Sequence, residues 1–452
     1  MNTKKFGAVL LAGCLLCVGT LAIPEQNVSL VASASSWVEE GSDGLKYIVY
    51  DDKDYAVVSG ATEEKLYVLI PDTFQASDGR VLPVTEITED FFFTKRTVES
   101  AHLGENMKVV GKQAFDACHS LTSVDFNEGL ETIGNYAFRG TALETLTLPD
   151  SVETIGMLAF NNCKNLTSVH LGAGVKTIGQ EAFRGCSALK TIEFNEGLET
   201  INWAFPDCTA LETVTLPSTL STLTGSSFND CDNLKTVNFL GGNDLVIGTA
   251  FMNCSALETV TMGEGIIKIA DSAFSGGVNL KNVQLSPTLK TIGSYAFSRC
   301  SGLTEIELPA SLETLGHSAF SLCSNLETVT FLGKETEINK YASIPKTTVI
   351  RGYEGSTAQA YAEANGNTFE LIDSEQETPS EEPAEFTPGD VNDDGKVDIL
   401  DVITINRSVV GKERLSDTQK KAADVNHSGN PDPGDSLMIM RFIVNLIDSL
   451  TE

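Results

Sequence analysis

The sequence predicts an α/β-type repeat solenoid with a parallel β-sheet, followed by a small all-α module. A motif ending in Phe recurs every 22 or 23 residues through most of the chain. Each Phe precedes a short segment in which apolar and polar residues alternate, the period of a strand with one buried face. After residue 372 the repeat stops, and an acidic, proline-containing stretch separates it from the C-terminal residues.

Residues 1–34 are predicted to be a signal peptide. They begin with two lysines, continue with an apolar run to Ile23, and end in Ala-Ser-Ala, which predicts cleavage before Ser35. The protein is therefore expected to be secreted.

A lipoprotein anchor is the alternative for this segment. Leu-Ala-Gly-Cys at Leu11–Cys14 has the form of a lipoprotein cleavage box, but the apolar run continues past Cys14, where a lipoprotein turns polar. No other segment supplies the roughly 20 apolar residues that cross a membrane, so no membrane insertion is expected.

Residues 35–85 are predicted to form a β-rich N-terminal cap, and residues 86–346 contain the repeats. A unit of this length with one short strand cannot bury its apolar face alone, so about eleven such turns are expected to stack into one core. The repeat phenylalanines are Phe92, Phe115, Phe138, Phe160, Phe183, Phe205, Phe228, Phe251, Phe274, Phe297 and Phe320.

The pattern L-x-x-[VIL]-x-L followed by L-x-x-I-G-x-x-A-F-x-x-C resembles a leucine-rich repeat of the BspA type. The resemblance covers about residues 43–372 and implies a solenoid whose ends are closed by atypical units. Residues 347–372 are expected to be the C-terminal cap, with a final strand and a short helix.

The cysteines after the signal peptide form one column, each three residues after a repeat Phe. We expect them to be free thiols packed in the core, because neighbours in register suit a disulfide torsion badly. Disulfides and a metal site remain the alternatives. The column comprises Cys118, Cys163, Cys186, Cys208, Cys231, Cys254, Cys300 and Cys323.

The outward strand positions predict a polar binding face. One row runs from Ser123 to Thr328 and the other from Asp125 to Thr330, and neither contains an aromatic residue. Since sugar-binding surfaces usually stack sugars on aromatic rings, contact with a protein is the better interpretation, although no anchor residue can be named.

Glu305 and Glu307 are the candidate pair of catalytic carboxylates. They point the same way along one strand, about 7 Å apart, within the roughly 5–9.5 Å that glycosidase carboxyl groups span. On a broad, solvated face nothing raises the pKa of either group, so we expect a non-catalytic protein. A polysaccharide hydrolase or lyase with an unrecognised site is the alternative.

Residues 373–388 are predicted to be an extended linker, and two calcium loops follow it. Calcium takes six to eight oxygen ligands, which a 12-residue loop supplies at positions 1, 3, 5, 7, 9 and 12. The first loop offers Asp390, Asn392, Asp394, the carbonyl of Lys396, Asp398 and Asp401, and the second offers Asp424, Asn426, Ser428, the carbonyl of Asn430, Asp432 and Asp435. Because Ser428 replaces a carboxylate and two prolines stiffen the second loop, that site is expected to be weaker or shifted in geometry.

Residues 389–452 resemble a type I dockerin. Each loop is followed by a helical segment, 399–410 and 436–447, and a short helix at about 416–423 begins with the capping pattern S-D-T-Q. No helix precedes the first loop, unlike an EF-hand sensor. The resemblance implies calcium-dependent folding and docking to a cohesin module of a scaffolding protein.

The residues that the resemblance assigns to cohesin recognition are Ile399, Leu400, Asn406, Arg407, Met440 and Arg441. Arg407 and Arg441 correspond in the two halves, but Ile399 and Leu400 are replaced by Pro433 and Gly434 in the second half. One docking mode is therefore favoured over two. The alternative is that the two arginines are solvated helix charges.

Together these features predict a secreted, non-catalytic component of a cellulosome-like complex, in the context of polysaccharide degradation. The solenoid would bind a protein or a surface ligand. A formal net charge of −31 disfavours nucleic acid. A surface adhesin that does not depend on cohesin docking is the alternative.

Overall fold

The computed structural model describes residues 35–61, 66–89, 97–372, 387–392, 396–397, 399–409, 415–425, 431, 435–436 and 438–439. The chain divides into two compact units, Met1–Ile372 and Asp373–Glu452. Each unit is described by itself below.

A small β-structure covers the N-terminal end of the first unit. Its strands are β1 (Ser36–Glu40), β2 (Leu45–Tyr50), β3 (Ala56–Ala61), β4 (Tyr67–Leu69), β5 (Thr73–Gln75) and β6 (Val81–Ile87). β1 pairs antiparallel with β2, and β2 pairs antiparallel with β3. β3 then pairs parallel with β6. Tyr47 is fully buried and stacks on Phe74 with ring centroids 4.0 Å apart, so an aromatic pair anchors this end of the core.

The solenoid strands follow at regular intervals. In chain order they are β7 (Ser100–His102), β8 (Val109–Val110), β9 (Ser123–Asp125), β10 (Thr132–Ile133), β11 (Thr145–Thr147), β12 (Thr154–Ile155), β13 (Ser168–His170), β14 (Thr177–Ile178), β15 (Thr191–Glu193), β16 (Thr200–Asn202), β17 (Thr213–Leu216), β18 (Thr222–Thr224), β19 (Thr236–Phe239), β20 (Leu245–Ile247), β21 (Thr259–Met262), β22 (Ile266–Ile269), β23 (Asn282–Gln284), β24 (Thr291–Ile292), β25 (Glu305–Leu308), β26 (Thr314–Leu315), β27 (Thr328–Phe331) and β28 (Glu337–Ile338).

Each coil contributes two strands, which build two different sheets. The long sheet has 16 strands, in the order β1-β2-β3-β6-β8 and then every even-numbered strand to β28, with β5 on β6. The segmented sheet consists of four shorter runs, β4-β7-β9, β11-β13-β15, β17-β19-β21-β23, and β25-β27 with two later strands. The parallel solenoid is confirmed, but the prediction of one strand per repeat is wrong, because the Thr-Ile segment before each glycine also pairs along the whole stack.

The repeat phenylalanines from Phe115 onwards form a continuous aromatic ladder in the core, and Phe92 lies outside the described residues. From Phe115 to Phe320 each ring is fully buried. Neighbouring rings are nearly parallel, with centroids 5.1 Å apart for Phe183 and Phe205 and 5.8 Å apart for Phe297 and Phe320. This separation at a low interplanar angle is an offset stack, the geometry that aromatic quadrupoles favour.

The turn around each Phe also bonds to the next coil through its backbone. Phe115 donates its N–H to the carbonyl of Ala137, and Ala117 donates to the carbonyl of Arg139. The residue two positions after each Phe has a left-handed backbone, with φ of 57° at Ala117 and 86° at Gly276. Gly, Asn or Asp, which tolerate this conformation, occupy most of these positions: Gly140, Asn162, Gly185, Asp207, Asp230, Asn253 and Gly276.

The cysteine column completes this turn. As predicted, its thiols are free and buried. The Sγ–H of Cys254 donates to the carbonyl of Phe228 in the preceding coil, at 3.1 Å, and Cys323 donates to Phe297 in the same way. Where the column lacks a thiol, Thr141 donates its hydroxyl to the carbonyl of Phe138 instead. The thiol therefore satisfies a buried carbonyl as well as filling space.

A column of glycines lies where successive coils approach most closely. A Cβ added to Gly156 would lie 2.6 Å from the carbonyl carbon of Gly134, and one added to Gly134 would lie 2.7 Å from that of Gly111. Such distances are shorter than real contacts, so a side chain at Gly134 or Gly156 would push the backbone of the neighbouring coil away.

The first unit ends in a strand, a helix and a strand. β29 (Val349–Gly352) pairs with β27, helix α1 (Thr357–Asn365) follows, and β30 (Phe369–Leu371) pairs with β29. The predicted strand and short helix are thus present in that order. Ser356 caps the N-terminus of α1 by accepting a hydrogen bond from the N–H of Gln359.

The second unit contains α2 (Ile399–Val409) and α3 (Asp417–Ala423). α3 begins with the capping box predicted from S-D-T-Q, since Ser416 and Gln419 each bond to the backbone of the other. Most of the third predicted helical segment, 436–447, lies outside the described residues. None of the helices in the described ranges has the length and apolar character needed to span a membrane.

Gly156→Ala tests the close approach between coils. The added methyl group collides with backbone of the preceding coil, so we expect the unfolding free energy to fall by about 1–3 kcal/mol, the usual cost of overpacking. Gly60→Ala is the matched control, because a Cβ at Gly60 meets only the Lys46 side chain at 3.6 Å. Urea midpoints for both variants check this, and equal midpoints would contradict it.

The cysteine column should resist thiol reagents in the folded protein. Burial raises the pKa of Cys118 and of Cys254 to about 12, so thiolate, the reactive form, is scarce near pH 8. We expect labelling with Ellman's reagent to be slow until denaturant is added. Rapid labelling of these cysteines in the native protein would contradict the burial of their thiols. Mass spectrometry identifies the labelled positions.

Candidate functional site

The first calcium loop is closed by a buried carboxylate. Asp401 lies in the first turn of α2 and is 0% exposed. Its Oδ1 accepts hydrogen bonds from the N–H of Val391 at 2.7 Å and from that of Asn392 at 3.1 Å. The twelfth loop position is therefore held against the second and third positions, as a compact cation site requires.

The start of this loop is also tied to α3. Gly389, with φ of 90°, donates its N–H to the carbonyl of Ala422, and Asp390 donates to the carbonyl of Thr387. Asp390 is only 8% exposed, and the adjacent Val391 is fully buried. The small core of this unit consists of Val391, Val402, Ile405, Leu415, Ala423, Val425 and Ile439.

The second loop begins and ends in comparable positions. Asp424 caps α3 at its C-terminus, where its N–H bonds to the carbonyl of Lys420. Asp435, the twelfth position, is 0% exposed like Asp401. The next residue, Ser436, donates its hydroxyl to Oδ1 of Asn406 at 2.8 Å, so the two halves of the unit are hydrogen-bonded to each other.

The described residues fit a calcium ion chemically. Asp390, Asp401 and Asp435 are nearly or fully buried carboxylates, which are costly unless a cation or hydrogen bonds compensate the charge. Their donor atoms are oxygens, the ligands that calcium prefers. Among the described residues no group of three or more His, Cys, Asp or Glu is placed to share a metal. Half of the predicted ligands lie outside those residues: Asp394, Asp398, Asn426, Ser428, Asn430 and Asp432.

The predicted recognition residues are only partly described. Asn406 and Arg407 are exposed on α2, but Oδ1 of Asn406 is engaged by Ser436. Ile399 and Leu400 form the first turn of α2, and Met440 and Arg441 lie outside the described residues. The bond between Asn406 and Ser436 was not predictable from loop spacing, since it joins residues 30 positions apart.

The segmented sheet presents the outward rows described from the sequence. Glu305 and Glu307 are exposed on β25 and lie opposite Thr328 and Thr330. Cross-coil pairs between His and a carboxylate occur along the same face. His170 Nδ1 lies 2.9 Å from Glu193 Oε2.

The two outward rows extend further towards the N-terminus than Ser123 and Asp125, where the sequence predicted them to begin. β4 pairs in register with β7 and β7 with β9, so Tyr67 continues the row of Ser100 and Ser123. The positions named from the sequence contain no aromatic residue, but the pairing with β4 adds Tyr67 to the end of one row. The segment that contains Tyr67 had been assigned to the cap because it precedes the first repeat.

Two of the depressions formed by described residues of the first unit bear on function. One, of about 560 Å³, is lined in part by Glu181, Arg184 and Asp207, which already pair with one another. The other, of about 420 Å³, lies over β4, β7 and β9 and is lined by Tyr67, Leu69, His102 and Asp125 among others.

Asp401→Ala removes the acceptor that closes the first loop. The N–H groups of Val391 and Asn392 then lose their partner in a buried setting, at a cost of about 1–3 kcal/mol. We expect limited proteolysis to cleave the Asp401→Ala chain within residues 387–425 sooner than it cleaves the Thr418→Ala chain. Thr418→Ala is the control because it changes an exposed residue of α3. Equal cleavage rates by mass spectrometry would contradict the closing role.

The chain matches two family models. The model described as BspA type leucine rich repeat region matches in 6 copies over residues 85–202, 153–247 and 245–344. The model for the dockerin type I domain matches residues 388–444. Both are families of non-catalytic modules.

Solved structures similar to this chain are bacterial leucine-rich repeat proteins. One from Bacteroides ovatus is 21% identical. The match covers 73% of this chain and 98% of that protein, with a TM-score of 0.44. A leucine-rich cell surface protein from Faecalibacterium prausnitzii is 19% identical, with coverages of 76% and 97% and a TM-score of 0.38. The pneumococcal vaccine antigen PcpA is 18% identical, with coverages of 75% and 100% and a TM-score of 0.42. No curated protein matches the chain.

Proposed function

The chain belongs to the BspA-type leucine-rich repeat family, and we propose that it is a secreted, non-catalytic component of a cellulosome-like complex. The C-terminal module, residues 389–452, docks to a cohesin of a scaffolding protein in a calcium-dependent way. The solenoid mediates protein or surface binding in the context of polysaccharide degradation. The match to the type I dockerin model carries the proposal.

Calcium-dependent docking is supported by the way the loop ends meet. Asp390, Asn392 and Asp401 belong to the first site and Asp424 and Asp435 to the second, together with the ligands outside the described residues. Bound calcium supplies positive charge that compensates these carboxylates. Since Asp401 also holds the N–H groups of Val391 and Asn392, loop closure and the cation site share one side chain. An ion that binds only the folded module stabilises it.

One docking mode follows from the unequal halves. In the first half Ile399, Leu400 and Arg407 stand on α2, whereas Pro433 and Gly434 replace the two apolar residues in the second half. The cohesin therefore contacts mainly the first half. The hydrogen bond between Asn406 and Ser436 ties Ser436 to α2, next to Arg407.

The solenoid displays an extended polar face rather than a cleft. Its core is filled by the aromatic ladder, and the outward rows of the segmented sheet repeat Thr, Ser and Asn from coil to coil. Thr213 pairs with Thr236, for example, and Thr236 pairs with Thr259. Such a face suits a partner that contacts several coils at once. Secretion by the segment 1–34 places this face outside the cell.

The proposal predicts cohesin binding that needs both calcium and Asp401. We expect the full chain to bind a cohesin with calcium by calorimetry and to lose binding in EGTA. Asp401→Asn keeps an oxygen that can accept the two N–H bonds but removes the charge, so calcium affinity should fall at least about tenfold. Glu363→Gln, which neutralises a carboxylate on α1, is the matched control.

Two results would contradict this function. Cohesin binding that persists unchanged in EGTA would separate docking from calcium. If calcium orders the module but no cohesin in a broad panel binds it, the connector role fails and the solenoid must act as an adhesin on its own.

A further inference from the structure

The N-terminal end of the segmented sheet has a surface unlike the rest of that sheet. Over β4, β7 and β9, one row places Tyr67 beside Ser100 and Ser123, and the next row places Leu69 beside His102 and Asp125. These two rows line a depression of about 420 Å³. Its volume lies within the range of small-ligand sites, about 300–1,000 Å³.

Tyr67 supplies an open aromatic surface at this depression. Its side chain belongs to a residue that is 68% exposed, and its neighbours in the row are two serines. Serine is too small to cover an adjacent ring, so the tyrosine can offer its apolar surface to a ligand. Leu69, which is 65% exposed, adds apolar surface in the next row.

Hydrogen-bonding groups stand in the row next to this ring. His102 Nδ1 lies 2.6 Å from Asp125 Oδ2, across neighbouring coils. Both side chains remain at least half exposed, so they can still bind a ligand. The pair fixes the position of the Asp125 carboxylate, a strong acceptor for hydroxyl groups. Aromatic surface and aligned polar groups are thus brought together in one place.

We propose that this depression is a binding site for neutral saccharide units of a polysaccharide. A pyranose ring has C–H groups on its faces, which pack on an aromatic ring, and hydroxyl groups at its rim, which need donors and acceptors. Tyr67 meets the first requirement, and Asp125, His102 and the two serines meet the second. This proposal goes beyond cohesin docking and does not depend on it.

Charge and size restrict the ligand to this class. The lining contains one carboxylate, Asp125, which the His102 ring contacts, and the chain carries a net charge of −31. An anionic sugar or a nucleic acid would therefore be repelled. A stable protein interface covers about 800 Å² on each partner, whereas the exposed apolar residues here are confined to Leu66, Tyr67 and Leu69 among the described neighbours.

Affinity gel electrophoresis of the full chain tests the site. The gels contain xyloglucan, mixed-linkage β-glucan, glucomannan or arabinoxylan, with polygalacturonate as an anionic comparator. We expect the wild-type protein to be retarded by at least one neutral polysaccharide. Tyr67→Ala should weaken this binding at least about tenfold, the loss typical of a central aromatic contact. Tyr67→Phe, which keeps the ring, should bind like the wild type.

Two further variants separate the site from general effects. Tyr341→Ala removes a tyrosine that is 58% exposed near the other end of the solenoid, and it should leave binding unchanged. Asp125→Asn should weaken binding without lowering thermal stability, because the residue is exposed. Because Tyr67 is also exposed, its loss should leave the melting temperature unchanged.

Each other outcome overturns the proposal. A wild-type protein that no neutral polysaccharide retards has no such site. Equal retardation of Tyr67→Ala and wild type would place binding elsewhere. Retardation by polygalacturonate alone would assign the wrong ligand class.

Discussion

The hydrogen bond from each repeat phenylalanine to the next coil is the contact on which the solenoid depends. Phe115 donates its N–H to Ala137, Phe138 donates to Ala159, and the same bond recurs from coil to coil. The residue two positions later adopts a left-handed backbone and also donates its N–H to the next coil. The N–H groups of each turn therefore bond to carbonyls of the next coil instead of to water. The Phe ring then lies in the core and stacks on the ring of the next coil. One residue thereby sets both the hydrogen bonding and the packing of each repeat.

This arrangement determines what the solenoid can do. The aromatic ladder, together with the thiols that donate to Phe carbonyls and the glycine column, fills the inside of the coils, so chemistry is left to the surface. In the long sheet the backbones of successive coils approach so closely at Gly134 and Gly156 that a Cβ would collide with the neighbouring coil. The segmented sheet carries side chains that can vary without cost to the core. Its N-terminal end, at Tyr67, is where that variation produces a built depression.

Much of this was predictable from the sequence, because repetition makes the signal strong. The spacing of Phe identified the solenoid, the cysteine column was correctly interpreted as packed thiols, and S-D-T-Q identified the start of α3. The second strand of each coil was missed because two residues such as Thr132 and Ile133 are too few to show alternation. Tyr67 was missed because membership of a sheet row depends on pairing between β4 and β7, which no local pattern encodes. In the same way, spacing named Asp401 as a loop residue but could not show that it holds Val391 and Asn392.

The two units are stabilised by different interactions, amide ladders in the solenoid and, in the C-terminal module, a loop that the Asp401 carboxylate closes. Hydrogen–deuterium exchange of the full chain, with calcium and then with EGTA, tests this division most directly. The account predicts that the Phe amides from Phe115 to Phe297 stay protected in both conditions, whereas the amides of Val391 and Asn392 lose protection when calcium is removed. Loss of protection in the solenoid, or unchanged protection at Val391 and Asn392, would contradict it.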